Sequence, residues 1–172
     1  DATCNGDGDG AIDITVTGGQ PPFTYIWDDA GSSTTQDIDG LDAGNYTVTI
    51  TDANMTEVVR TYSVGEPALI TIGFNMTQTS CFGYSNGELE AVPAGGNGGY
   101  TFLWSNGIDT DINSGLETGD YDVTVTDAKG CAGTDTETVT SANTQINITE
   151  AIDPPTNCGD ADGGIDITVT GG

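Results

Sequence analysis

The chain contains no histidine, and only two of its 172 residues are basic, Arg60 and Lys129. The first absence removes the Ser-His-Asp and Cys-His schemes of nucleophilic catalysis and the usual imidazole ligands of zinc. The second leaves nothing to neutralise phosphates, because nucleic-acid contacts need clustered Lys and Arg. No nucleic acid is expected as a partner, and an anionic membrane surface is disfavoured for the same reason. No apolar run approaches the roughly 20 residues of a membrane-spanning helix, so membrane insertion is not expected. Glycine is plentiful, yet no phosphate-cradling loop fits, since Gly95-Gly96-Asn97-Gly98-Gly99 lies between strand candidates with no helix after it. Paired carboxylates would suit a glycosidase, but with 27 acidic residues their proximity discriminates nothing. The chain is not expected to be an enzyme.

What is present is acidity and repetition. The net charge of −25 raises the question of disorder. Regular alternation of Val, Ile and Tyr with Thr argues instead for folded domains with an acidic skin, suited to a salty or calcium-rich medium outside the cell. Cys4, Cys81 and Cys158 follow one another at a spacing of 77 residues, as do Trp27 and Trp104. Ile12-Asp13-Ile14-Thr15-Val16-Thr17-Gly18-Gly19 recurs letter for letter as Ile165 to Gly172. The segment Leu41 to Ala53 returns as Leu116 to Ala128, now at a spacing of 75, so two residues are lost from the polar stretch between Trp27 and Leu41. A period of this size means tandem small domains. Three sequence repeats are read: 1–66, lacking its first strand; 67–143, complete; and 144–172, the start of a third. The array reads as a window on a longer one, and its short links, Gly65-Glu66-Pro67 and Ser141 to Thr144, should restrict the angle between neighbours.

Within each repeat the alternation is that of half-buried strands. Ile12, Ile14 and Val16 alternate with Asp13, Thr15 and Thr17. Tyr46, Val48 and Ile50 alternate with threonines, and Tyr121, Val123 and Val125 repeat the pattern. Phe23, Tyr25 and Trp27 share a face, as do Tyr100, Phe102 and Trp104. Turn formers separate the runs and no helical period appears. The fold expected is all-β: tandem immunoglobulin-like antiparallel β-sandwich repeats of about 77 residues, with Trp27 and Trp104 in the cores. Leu-x-x-Gly-x-Tyr ahead of a late strand marks Tyr46 and Tyr121 as tyrosine corners. The aromatic strand from Tyr100 to Trp104 reads as core rather than as a glycan-stacking platform.

The combination of Cys-x-Gly-x-x-x-Gly, a Gly-Gly pair, an aromatic-x-Trp strand, Leu-x-x-Gly-x-Tyr-x-Val-Thr-Val-Thr-Asp-Ala and Gly130-Cys131 resembles the SprB repeat. That repeat is copied in tandem in large surface adhesins of Bacteroidota, including the gliding-motility adhesin. The resemblance implies export by the type IX pathway, extracellular display as a long filament, and adhesion to surfaces or polysaccharide. The partners it implies are neighbouring repeats of the same chain and surface polysaccharide. A carbohydrate-binding module gripping its ligand at Gly95–Gly99 or Ser105–Ser114, and a subunit of a strand-exchanged fibre, are the alternatives.

In a secreted sandwich of this size Cys81 and Cys131, 50 residues apart, are expected to form a disulfide. Cys4 then has no partner, because Thr56 stands where Cys131 stands in the second repeat, and is expected to be an unpaired buried thiol. Pairing of Cys131 with Cys158 is the competing arrangement. Asp7-Gly8-Asp9-Gly10 and Asp160-Ala161-Asp162-Gly163 follow Cys4 and Cys158 and look like the opening of a calcium loop. The middle repeat has Tyr84-Ser85-Asn86-Gly87 there, and the closing ligands of such a loop are absent. Ca²⁺ on Asp7, Asp9, Asp160 and Asp162 therefore stands beside a simple Asx-Gly turn. Asp52 or Asp127, with Glu66 or Asp153, is a weaker candidate for a site near a domain end. No other cofactor is expected.

Overall fold

The computed structural model describes residues 1–154, 156–158 and 161–172, and among them there are thirteen strands and no helix. The first repeat holds β1 (Gly10–Ile12), β2 (Thr24–Trp27), β3 (Ile38–Leu41), β4 (Gly44–Thr51) and β5 (Glu57–Val64). The second holds β6 (Thr71–Thr77), β7 (Gly87–Ala94), β8 (Thr101–Trp104), β9 (Ile112–Leu116), β10 (Gly119–Thr126) and β11 (Ala132–Val139). β12 (Asn147–Asp153) and β13 (Gly164–Thr170) form a hairpin.

The sheets repeat as the sequence does. β1 pairs with β3, and β2, β4 and β5 lie side by side. In the second repeat the orders are β6-β7-β9 and β8-β10-β11. Pairings β1–β3, β2–β4, β4–β5, β7–β9 and β12–β13 are antiparallel. The register is conserved: Gly10 faces Leu41 and Ile12 faces Ile38, as Gly87 faces Leu116 and Leu89 faces Asn113. Both glycines are required by close packing. A Cβ at Gly10 would lie 2.5 Å from Val64 Cγ1, and one at Gly87 would lie 2.8 Å from Val139 Cγ1.

The core of the first repeat joins its two sheets: Ile12, Ile14, Ile38 and Leu41 pack with Trp27, Val48 and Val64. Trp27 and Trp104 are each 1% exposed, and each keeps its indole N–H satisfied by a backbone carbonyl, Thr35 and Thr110 respectively, at 2.9 Å. Burial of an aromatic of this size with its polar tip paired is among the largest single contributions a small sandwich has. The tyrosine corners form as well. Tyr46 Oη donates to the carbonyl of Asp42 at 2.9 Å and Tyr121 Oη to that of Glu117 at 3.3 Å. The fold is thus an all-β array of antiparallel, immunoglobulin-like sandwich repeats.

By contact, the chain divides into two compact units that do not follow the sequence repeats. The first comprises Asp1–Ile72 with Pro93–Thr101 and Val125–Gly133; the second comprises Gly73–Val92, Phe102–Thr124 and Thr134–Gly172. One alternation ends early: the Ile12–Thr17 run is a strand only to Ile12, whereas the same letters at 165–170 are strand throughout. The difference is a neighbour. Among the described residues β13 has β12 along its whole length, whereas β1 pairs with β3 alone.

Candidate functional site

The most elaborate local structure in the first compact unit surrounds a disulfide between Cys4 and Cys131, with Cα atoms 5.6 Å apart. This corrects the expected pairing of Cys81 with Cys131 and the expected free thiol at Cys4. Cys81 is an exposed free thiol, and so is Cys158. The reason lies in the strands. Two residues before Cys81, Thr79 is anchored past the far end of β11, its N–H donating to the carbonyl of Thr140 at 3.1 Å. Cys131 immediately precedes the start of β11, eight extended residues or about 27 Å away. A disulfide needs Cα atoms within about 7 Å. Cys4 occupies the same position in its own repeat: Ala2 N–H donates to Gly65 O at 2.8 Å, just past the end of β5. The loop after β5 leads directly into Pro67–Ile70, and there the β10–β11 turn is within reach.

That turn is organised by Asp127, which is 5% exposed. Its Oδ1 accepts the N–H groups of Lys129 (2.8 Å) and Cys131 (3.0 Å). Its Oδ2 accepts the Asn97 backbone N–H (2.7 Å) and side-chain amide (2.9 Å). Burial pushes this carboxyl up, but the four donors outweigh it and hold its pKa down to about 2. Asn97 Nδ2 also donates to Thr3 O at 3.0 Å, which ties the turn to the residue beside Cys4. In the first repeat Asp52 builds the same turn: Oδ1 accepts from Asn54 (2.8 Å) and Thr56 (2.9 Å), and Oδ2 from Gln20 (3.1 Å). The Thr56 N–H foremost among these keeps the Asp52 carboxyl below its ordinary value despite partial desolvation. Thr56 occupies the cysteine's place, so this turn carries no bond.

On the other side, Asp9 closes the Cys4 loop. Its Oδ1 accepts the Thr3 N–H at 2.8 Å, and the Thr3 hydroxyl and N–H together lower its pKa. Glu66 accepts the Gly6 N–H at 2.6 Å, and Asn5 Nδ2 donates to Pro67 O at 3.1 Å. Asp7 lines a hollow of about 340 Å³ beside the disulfide, with Pro67, Leu69 and Ile70. In the third repeat Asp162 accepts from the Thr156 N–H (3.1 Å) and hydroxyl, and its pKa is lowered in the same way. Asp160 lies outside the described residues. In the second repeat the equivalent acceptor is neutral: Asn86 Oδ1 takes the Ser80 N–H at 3.1 Å. The shared role is loop closure. Among the described residues no three His, Cys, Asp or Glu side chains converge in a way that would hold a metal ion.

The loops considered for carbohydrate, Gly95–Gly99 and Ser105–Ser114, are braced by internal hydrogen bonds. Tyr100 Oη donates to the Gly95 carbonyl, and a Cβ at Gly96 would lie 2.8 Å from Asp127 Oδ2. Asn106 and Asn113 exchange hydrogen bonds of 3.0 and 3.2 Å, with Asn113 buried. Sequence reasoning did not single out Asn97. The signal was available in the aspartates at 52 and 127, which end the Tyr-initiated strand in both repeats.

No curated protein matches the chain. Among solved structures, the three N-terminal domains of the bacteriophage RB49 Highly Immunogenic Outer Capsid protein (Hoc) align at 20% identity with a TM-score of 0.52, covering 99% of this chain and 66% of that one. A C-terminal 282-residue fragment of intimin, in complex with the intimin-binding domain of its translocated receptor, aligns at 16% identity and a TM-score of 0.40, over 70% of this chain and 52% of that one. An amphioxus IgVJ-C2 molecule aligns at 13% and 0.36, over 78% and 97%. The phage likeness is one of fold. Residues 1–32 and 73–108 match the SprB repeat, one segment in each of the first two sequence repeats.

Proposed function

We propose that this chain is a stretch of tandem structural and adhesive repeats from a long secreted filament displayed on the cell surface, without enzymatic activity, of the kind that serves gliding adhesins exported by the type IX pathway. The observation that carries the reading is the Cys4–Cys131 bond, set between the Cys loop of one SprB-matching repeat and the hairpin turn of the next. A bond enclosing 127 residues of sequence keeps that length of chain from paying out under tension. Such a device suits a load-bearing fibre, and a persistent disulfide suits an oxidising compartment outside the cell. The acidic surface keeps neighbouring filaments apart at low salt.

Adhesion follows from number more than from any single strong site, since many weak contacts along one filament act together. Phe82 and Tyr84, exposed on the Cys81 loop, offer the ring faces on which a polysaccharide would stack. Single-molecule stretching of the chain held at its two ends tests the mechanical reading. Under oxidising conditions the extension should stop short by roughly the contour of the enclosed residues, and reductant should restore it. Full extension without reductant would remove the load-bearing role.

A further inference from the structure

We propose that the Asn106–Asn113 pair assigns the second half of a repeat to its own first half, and so keeps the first two repeats from exchanging halves as they fold. Asn113 is fully buried near the start of β9, where it faces Leu89 of β7. A single residue meets its side-chain amide: Oδ1 accepts from Asn106 Nδ2 at 3.0 Å, and Nδ2 donates to Asn106 Oδ1 at 3.2 Å. Asn106 lies two residues beyond Trp104, exposed on the loop between β8 and β9. An amide sunk in a core adds little net stability, because its bonds replace bonds to water. What it does impose is a condition: it must find that partner or stay unpaired in a dry interior.

The first repeat differs at both positions. Ile38 occupies the place of Asn113, packed with Ile12, Trp27 and Leu41. Asp29 occupies the place of Asn106, and its own loop engages the carboxylate through the N–H groups of Gly31 (3.1 Å) and Ser33 (2.7 Å) and the Ser33 hydroxyl (2.8 Å). Elsewhere the two cores are alike in kind. Trp27, Leu41, Val48 and Val64 recur unchanged 77 or 75 residues on, and Ile12 gives way to Leu89. Repeats so similar can assemble wrongly, with β9–β11 closing on β1 and β2 in place of β3–β5, a failure characteristic of tandem domains. That arrangement sets Asn113 against Ile12, with Asp29 after the tryptophan where Asn106 is needed. Because Asp29 is already engaged, the buried amide has no partner, which disfavours the exchange about tenfold. The reverse combination carries no such cost, since Asn106 without Asn113 is an exposed side chain that water satisfies. The discrimination therefore rests on one buried group, and it works because the first repeat has isoleucine there.

The test refolds the full chain from a reduced, urea-unfolded state in a glutathione redox buffer and maps its disulfides. Exchanged halves carry Cys131 to the place of Thr56, a strand's length from Cys4, so the Cys4–Cys131 pair counts correct assembly. Asn113→Ile supplies the residue that the first repeat uses. It should leave the stability of the native chain unlowered and raise the fraction lacking the Cys4–Cys131 pair at least about fivefold. Asn106→Ala leaves the amide unpaired in either arrangement, and should raise that fraction similarly while lowering stability. Val123→Ala weakens the same core with the amide pair intact, and should refold with the parent's disulfide pattern. A parent-like pattern in Asn113→Ile would overturn the proposal, as would an equal loss of the native pair in Val123→Ala. Destabilisation of Asn113→Ile to the level of Asn106→Ala would show the pair to be structural support alone, and would overturn it as well.

Discussion

Cys4 and Cys131 are joined across 127 residues of sequence, while Cys81, which shares Cys4's place in the repeat, remains an exposed thiol. In the chain-entropy treatment, closing a loop of this length constrains the unfolded chain by about 5 kcal/mol. Cys4→Ser or Cys131→Ser should lower unfolding free energy by about 3–5 kcal/mol in chemical denaturation. Peptide mapping without reductant should recover the Cys4–Cys131 pair. Iodoacetamide should label Cys81 and Cys158 in the folded chain and spare Cys4 and Cys131.

Asp127 gives a pH signature. Its folded pKa, held down to about 2, is below the ordinary 3.8. The stability it contributes is therefore fully present above about pH 4 and is lost as pH falls toward 2. Protonation of the many other carboxylates relieves repulsion over the same range, so the comparison is with Asp127→Asn. The melting temperature of that variant should lie below the parent at pH 7, and the gap should close between pH 4 and 2. A constant gap would mean the carboxylate's charge is not what organises the turn.

Trp104→Ala should cost about 3–5 kcal/mol, the range for deleting a buried aromatic from a core. Trp104→Phe should cost less but more than volume suggests, because the Thr110 carbonyl loses its indole donor. Urea titration of both variants measures the two terms.

Thr79 is fully buried and its hydroxyl has no hydrogen-bond partner among the described residues. Ala2 fills the same place in the first repeat. Replacing the hydroxyl by a methyl, Thr79→Val, should stabilise by about 1 kcal/mol, since a dry unpaired hydroxyl carries a desolvation cost with no return. A destabilised variant would show that the oxygen is solvated in solution.

Thermal melts in millimolar calcium and in chelator should superimpose. Asp9 and Asp162 are each engaged by an N–H and a hydroxyl from one neighbouring threonine, and Asn86 fills the role without charge. A rise of several degrees in calcium would restore these turns as metal ligands.

The strands, the tryptophan cores and the tyrosine corners were legible because each depends on local alternation or on spacing within a single repeat. Val48 and Val123 declare their burial through their neighbours at two-residue intervals. The disulfide was not legible in the same way. Spacing alone made Cys81 and Cys131 natural partners, and only the direction of β11 shows that the strand holds them apart. Asn97 was hidden among glycines, where one amide in a loop has no periodicity to betray it. The early end of β1 was equally invisible, since identical letters at 165–170 form a full strand. Whether an edge is occupied is a property of neighbours, not of the segment itself.

The placement of the two basic residues has a consequence for digestion. Arg60 lies mid-strand in β5, facing Val48, and Lys129 lies in the turn whose N–H groups Asp127 holds. An enzyme that cleaves after Lys or Arg must draw several residues of extended chain into its cleft, and both scissile bonds here are held in hydrogen-bonded backbone. The folded chain thus offers trypsin-like proteases almost nothing to cut at its two basic residues, so resistance to such an enzyme is set by unfolding and not by sequence.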